Sequence, residues 1–227
     1  MDVITNEAFP KCLESESIQK KYLNTIIVQN PMMNNEEEHK QQKQQGVLDP
    51  ESELGMRGFK TFMADVTQET IKPLIDWIIA ENFNKEKKHK ELTLAICSPG
   101  GDLNACFALV DVMKGSKIPI RTIGMGMIAS CGLVLFISGE KGKRILTPNT
   151  SILSHQYSWG TYGKEHELFA QVKEYDLTTM RMINHYKKCT GLSEEEIREY
   201  LLPPHDVWLS AKEAKKLGLC DAIKETY

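Results

Sequence analysis

Three side chains that could act as nucleophile, base and orienting acid follow one another along the second half of the chain. Ser130 sits in GMGMIASCGLVLF (124–136), between Ala129 and Cys131 and just before Gly132. A buried helix has no use for a hydroxyl there. Ser130 is therefore either a helix cap that happens to be buried or a nucleophile at the mouth of a helix. His155 follows 25 residues later, at the end of SILSHQY (151–157), where a strand is expected. Asp206 lies in PPHDVWLSAKEA (203–214), in a loop stiffened by two prolines and followed by a capped helix. Serine hydrolysis needs a hydroxyl, a base, a carboxylate that orients the base, and N–H donors for the oxyanion. A helix start at Ser130 offers oriented N–H groups. SPGG (98–101) breaks a buried strand with a turn whose backbone can approach a ligand closely. Each feature also has an ordinary reading: a cap, a tight turn, a structural histidine, a surface carboxylate. The G-x-S-x-G elbow is absent, because Ile128 stands at its first glycine.

The elements that must position these residues alternate between strand and helix from Arg57 onward. GFKTFMADV (58–66) reads as strand and 68–82 as helix, with Ile71, Leu74, Ile75, Ile78 and Ile79 on one face and Thr67 as its cap. KEKKHKE (85–91) reads as a charged turn, LTLAICS (92–98) as a buried strand and 103–114 as helix. Strand 118–125, helix 130–138 and two short strands within 144–155 follow. Residues 164–188 form a long helix with Leu168, Val172, Met180 and Ile183 as its apolar stripe. Two short helices come last. Ser193 with Glu196 and Ser210 with Glu213 have capping-box spacing, and Gly218 suits a helix C′ position. The alternation predicts an α/β fold.

Composition bounds the function. The chain has 227 residues, is 41% hydrophobic and carries a net charge of −3 with a pI near 6.1. That is enough for a real core, and the acidic balance argues against nucleic acid as a partner. No apolar run reaches the ~18 residues of a membrane span, and the N-terminus shows no secretory signal. Cys12, Cys97, Cys106, Cys131, Cys189 and Cys220 are scattered without C-x-x-C or zinc spacing, so a reducing, cytoplasmic location is expected. Residues 1–56 read as a separate N-terminal segment, with one strand at 22–28 and a polar, low-complexity loop at 34–45.

SPGG, MGMIASCG, GEKGKRILTPN, LSHQ, CTGLSEEEI and DVWLSAKEAKKLGLCD, in this order, resemble the proteolytic subunits of the Clp proteases (ClpP), in the Clp/crotonase-like superfamily. The resemblance runs from about Arg57 to Ile223. It implies an α/β spiral of β-β-α units with a long protruding handle helix, a protease domain over 57–227 and a divergent segment over 1–56. It implies a serine endopeptidase with Ser130 as nucleophile, His155 as general base and Asp206 as the carboxylate, with oxyanion donors at the backbone N–H groups of Gly101 and Cys131. It implies no metal or cofactor in this chain, self-association into seven-membered rings stacked as a tetradecamer, and a hexameric Clp ATPase that feeds in polypeptide. Three departures stand out. Tyr157 replaces the family's proline after HQ, which alters the rim beyond His155. Met127 and Ile128 replace small residues, which predicts a narrower substrate pocket. Residues 1–56 do not follow the family's N-terminal pattern. Two other readings are a catalytically silent subunit of a mixed ring and a crotonase-like acyl-CoA hydratase or isomerase. The latter needs carboxylates where Ser130 and His155 stand.

Overall fold

The computed structural model describes residues 49–86 and 88–225. The strand expected at 22–28 and the loop at 34–45 lie outside them. In chain order the elements are α1 (Pro50–Met56), β1 (Phe59–Phe62), α2 (Gln68–Phe83), β2 (Leu92–Ser98), α3 (Leu103–Gly115), β3 (Ile120–Ala129) and α4 (Cys131–Ile137). Then come β4 (Arg144–Leu146), β5 (Ser151–Ser154), α5 (Glu165–Thr190), α6 (Glu194–Tyr200), β6 (Val207–Ser210), α7 (Ala211–Lys216) and β7 (Ala222–Ile223).

Local chemistry explains most boundaries. The Thr67 hydroxyl accepts from Thr70 N at 3.2 Å while Thr70 Oγ1 accepts from Thr67 N at 2.9 Å, so α2 starts on a reciprocal cap. Ser193 with Glu196 and Ser210 with Glu213 form the two capping boxes expected from their spacing. Gly218, at φ 71°, follows α7 as its spacing suggested. β6 and β7 were not expected. VWLS becomes a strand only by pairing antiparallel with β5, Ser154 opposite Val207 through Ser151 opposite Ser210.

The main sheet runs β1-β2-β3-β4-β7, with every neighbouring pair parallel. β2 is buried almost throughout, as a parallel strand covered on both faces should be. β3 decides the layout. Opposite β2 it runs in register from Ile120 to Gly124, then slips, so that Ser98 pairs with Ile128. The extra residues bend the strand at Gly126, whose φ of 63° suits glycine. Before the bend β3 pairs with β4; after it, Met127–Ala129 pair with β5. The bend thus brings three segments to one place: the turn after β2, the end of β3 and the end of β5.

α4 is buried at every position from Cys131 to Ile137. α5, 26 residues and so about 39 Å long, has two halves. Thr178, Met182, Ile183, His185, Tyr186 and Cys189 pack into the core, while nothing before Thr178 is buried. The expected stripe is therefore divided: Ile183 is buried, whereas Val172 and Met180 are 47% and 60% exposed. His185 ties α5 to α4, its Nε2 lying 3.1 Å from Ser138 Oγ and 3.2 Å from Val134 O. The Arg144–Asp221 pair joins β4 to the C-terminal segment at 2.7 Å, and Arg144 also donates to Cys189 O at 2.8 Å.

Candidate active site

Ser130 occupies the first corner of the site. β3 ends at Ala129 and α4 begins at Cys131, so the chain turns from strand to helix on one residue. Ser130 has φ 53° and ψ −121°; no other non-glycine among the described residues has positive φ. Such a conformation costs about 1–3 kcal/mol, and its surroundings hold it. Ser130 N donates to Leu153 O at 2.9 Å, and Ser130 O accepts from Leu133 N and Val134 N at 3.0 and 3.2 Å. The hydroxyl makes no capping bond. A serine kept as a cap would accept from the first-turn N–H groups; this one does not, which removes the ordinary reading of Ser130.

The Pro-Gly-Gly turn forms the opposite wall. Ser98 Oγ donates to Ala64 O at 2.7 Å and accepts from Gly100 N at 3.2 Å. Val66 N donates to Gly100 O, and Asp102 N to Val66 O, both at 2.7 Å. A Cβ on Gly100 would sit 2.7 Å from Ser130 Cβ, and one on Gly101 would sit 2.3 Å from Val66 O. Both glycines are therefore required by close approach. Gly101 N and Cys131 N donate no hydrogen bond among the described residues. Cys131 N is the first N–H of a helix and so has no intrahelical acceptor.

His155 follows β5 directly. The antiparallel β5–β6 pair brings the chain before Val207 back beside the end of β5, and so brings Asp206 to His155. His155 Nδ1 is 3.7 Å from Asp206 Oδ1, with the two side chains 25% and 62% exposed. That is longer than a hydrogen bond, and no hydrogen bond joins Ser130 Oγ to His155 among the described residues. Ser130 and His155 line one cleft of about 450 Å³ together with Gly101 and Cys131; Asp206 stands behind His155, outside the lining.

The cleft has an apolar side that the sequence did not announce. Leu103, Val134, Met182 and Tyr186 line it. Met182 and Tyr186 are one helical turn apart on α5, a spacing that could have found them. Burial pushes the Tyr186 phenol well above its ordinary range, and its hydroxyl lies 3.3 Å from Ser154 Oγ. Ile128, expected to narrow this pocket with Met127, is instead fully buried in the core. Neither residue lines the cleft. Both fall on the stretch of β3 that pairs with β5, so their side chains are committed to the sheet faces. Tyr157 stands at the rim. It lines the cleft, its hydroxyl donates to Tyr175 O at 3.0 Å, and its ring lies 5.3 Å from that of Tyr175 on α5.

A family model described as Clp protease matches residues 58–227. The chain belongs to the Clp protease family. Similar curated members include an ATP-dependent Clp protease proteolytic subunit of Deinococcus radiodurans, 35% identical over 141 residues, which are 62% of this chain and 68% of that one. An ATP-dependent Clp protease proteolytic subunit 2 of Corynebacterium diphtheriae is 36% identical over 144 residues, 63% of this chain and 71% of its own. The subunit 2 of Corynebacterium glutamicum is 36% identical over 141 residues, 62% and 69% of the two chains. The α/β fold expected from the strand–helix alternation is that of this Clp family member. None of its described helices is long and apolar enough to cross a membrane.

Proposed function

We propose that this Clp family member is a serine endopeptidase subunit in which Ser130, His155 and Asp206 act as nucleophile, general base and orienting carboxylate. The observation that carries this reading is Ser130 itself: an uncapped hydroxyl on a strained residue at a helix start, in one cleft with His155. His155 takes the Ser130 proton as Oγ attacks a peptide carbonyl. The tetrahedral oxyanion accepts from the free N–H groups of Gly101 and Cys131. The protonated imidazole then gives its proton to the leaving amine, and water hydrolyses the acyl-enzyme by the same route in reverse. The Asp206 carboxylate holds the imidazole in the tautomer whose free nitrogen faces Ser130. No metal or nucleotide takes part in these steps.

The subunit works inside a closed chamber made of seven-membered rings stacked as a tetradecamer, with a hexameric Clp ATPase feeding it unfolded chains. The exposed first half of α5, with Phe169 and Val172 at the surface, supports ring-to-ring packing. The names of the relatives, ATP-dependent proteolytic subunits, support the ATPase. The described cysteines are free, which supports a reducing cytoplasm. Residues 1–56 are the divergent N-terminal segment, and the stretch 34–45 acts on entry rather than on chemistry.

The test compares a short fluorogenic peptide with a folded protein substrate. The purified chain is expected to cut the peptide alone and the folded protein only with a Clp ATPase and ATP. Deleting 34–45 should alter the second rate and spare the first. No peptide cleavage by the purified assembly overturns the reading.

A further inference from the structure

We infer that Asp102 gives the cleft a preference for substrates with a basic side chain beside the scissile bond, on the side lying over the Gly100–Asp102 turn. The inference rests on the proposed peptidase reading and names its substrate class.

Asp102 is the only carboxylate among the residues lining the cleft, and no lysine or arginine lines it. Its position is fixed. Oδ1 accepts from Asn104 N at 2.7 Å and Ala105 N at 2.9 Å as the cap of α3. Oδ2 has no hydrogen-bond partner among the described residues, and no cation pairs with the side chain. The molecule thus holds a charged, preorganised acceptor one residue from Gly101, with one oxygen free.

On the far side of the same turn is an open groove of about 630 Å³, which shares Pro99, Gly101 and Asp102 with the cleft. Asp65 and Glu69 line it, again without a lysine, arginine or histidine. Neither forms an ion pair among the described residues. Glu53 pairs with Arg57, Asp76 with Lys72, Glu91 with Arg121 and Lys143, and Asp221 with Arg144. The path from the cleft across the turn is lined by three carboxylates with no cationic side-chain partner among the described residues. A substrate chain leaving Ser130 in that direction carries its next side chains past them. A lysine or arginine there gains attraction and a charge-assisted bond to Oδ2, while a glutamate is repelled. For a partly exposed pair the gain is about three- to tenfold in kcat/KM over a neutral residue, and it shrinks as salt rises.

The test uses internally quenched peptides that share an apolar residue at the cleavage site and differ by Lys, Gln or Glu at each flanking position. Rates are read at low and high salt on the wild-type assembly, Ser130→Ala and Asp102→Asn. Asparagine caps a helix as well as aspartate, so Asp102→Asn removes charge and keeps the α3 cap. The expected order is Lys above Gln above Glu at one flanking side, compressed by salt and flattened in Asp102→Asn. Asp65→Asn with Glu69→Gln should weaken preference one or two positions further out. Equal rates for the three peptides, or an order that survives Asp102→Asn, overturn the inference. If instead the Gln peptide is cut no faster by wild type than by Ser130→Ala, the peptidase reading has failed, and the inference with it.

Discussion

His155 Nδ1 and Asp206 Oδ1 face each other across 3.7 Å, close enough to form a pair and too far for a hydrogen bond. β5 and β6 set this distance, because His155 and Asp206 flank the ends of that two-strand ladder. Free-enzyme contacts of this kind commonly tighten when substrate binds. The account assigns Asp206 to orientation of the imidazole. Asp206→Asn should then lower kcat for short peptides about 10²–10⁴-fold with little change in KM. Steady-state kinetics on one fluorogenic peptide suffice, and an Asn variant within twofold of wild type removes Asp206 from the site.

Gly100 lies against the strand-to-helix turn at Ser130. An added Cβ at Gly100 meets Ser130 Cβ at 2.7 Å and Cys131 N at 2.9 Å. Gly100→Ala should displace the hydroxyl and cost at least about 10²-fold in kcat/KM. Gly142→Ala is the control: its φ of 89° strains alanine equally, but nothing lies within 4 Å of the added methyl. Gly100→Ala, which adds a clash to the strain, should lose more Tm than Gly142→Ala, and only Gly100→Ala should lose activity. Equal activities would mean that the turn does not set the position of Ser130.

His185 gives the fold a pH dependence. Burial pushes its imidazole down to about 4, with its neighbours Lys114 and Lys188 adding to the shift and the Val134 carbonyl opposing it. In the unfolded chain it returns to about 6.5. A depressed folded value means that the stabilisation is complete above the unfolded value and is lost as the pH falls towards 4. The loss attributable to this group between pH 7.5 and 5 is about 2 kcal/mol. Urea unfolding at the two pH values should show wild type losing about that much more than His185→Asn. Identical losses would contradict the assignment.

Strand and helix signals made most of the fold legible. LTLAICS is the buried strand it looked to be, and it pairs parallel on both sides. The Thr67, Ser193 and Ser210 caps stand where their spacing put them. Ser130, His155 and Asp206 were legible as residue types, and Ser130 and His155 do line one cleft. What sequence could not show is non-local. VWLS carries three apolar residues after two prolines and is a strand only because β5 lies beside it. The slip between Ile96 and Ser98 moves the end of β3, and nothing in GMGMIAS marks it except Gly126. The expected effect of Ile128 on the pocket failed for the same reason: after the bend its side chain belongs to the core.

The exposed N-terminal half of α5 carries the proposed contact between rings. No side chain from Glu165 to Leu177 is buried, so Leu168→Glu with Val172→Glu should leave the subunit folded. Sedimentation should show a double ring for wild type and single rings or smaller species for the variant. A wild-type monomer at micromolar concentration would overturn the ring assembly.

The central claim is that Ser130 is the nucleophile, and covalent labelling reads it directly. A fluorophosphonate reacts with a serine only when a base removes its proton and donors receive the developing oxyanion. Incubation of the purified chain followed by peptide mass spectrometry should give one adduct, on the peptide carrying Ser130. His155→Ala should slow the labelling by orders of magnitude, and Ser130→Ala should abolish it together with peptide cleavage. An adduct on another serine, or wild-type cleavage by Ser130→Ala, would contradict the account.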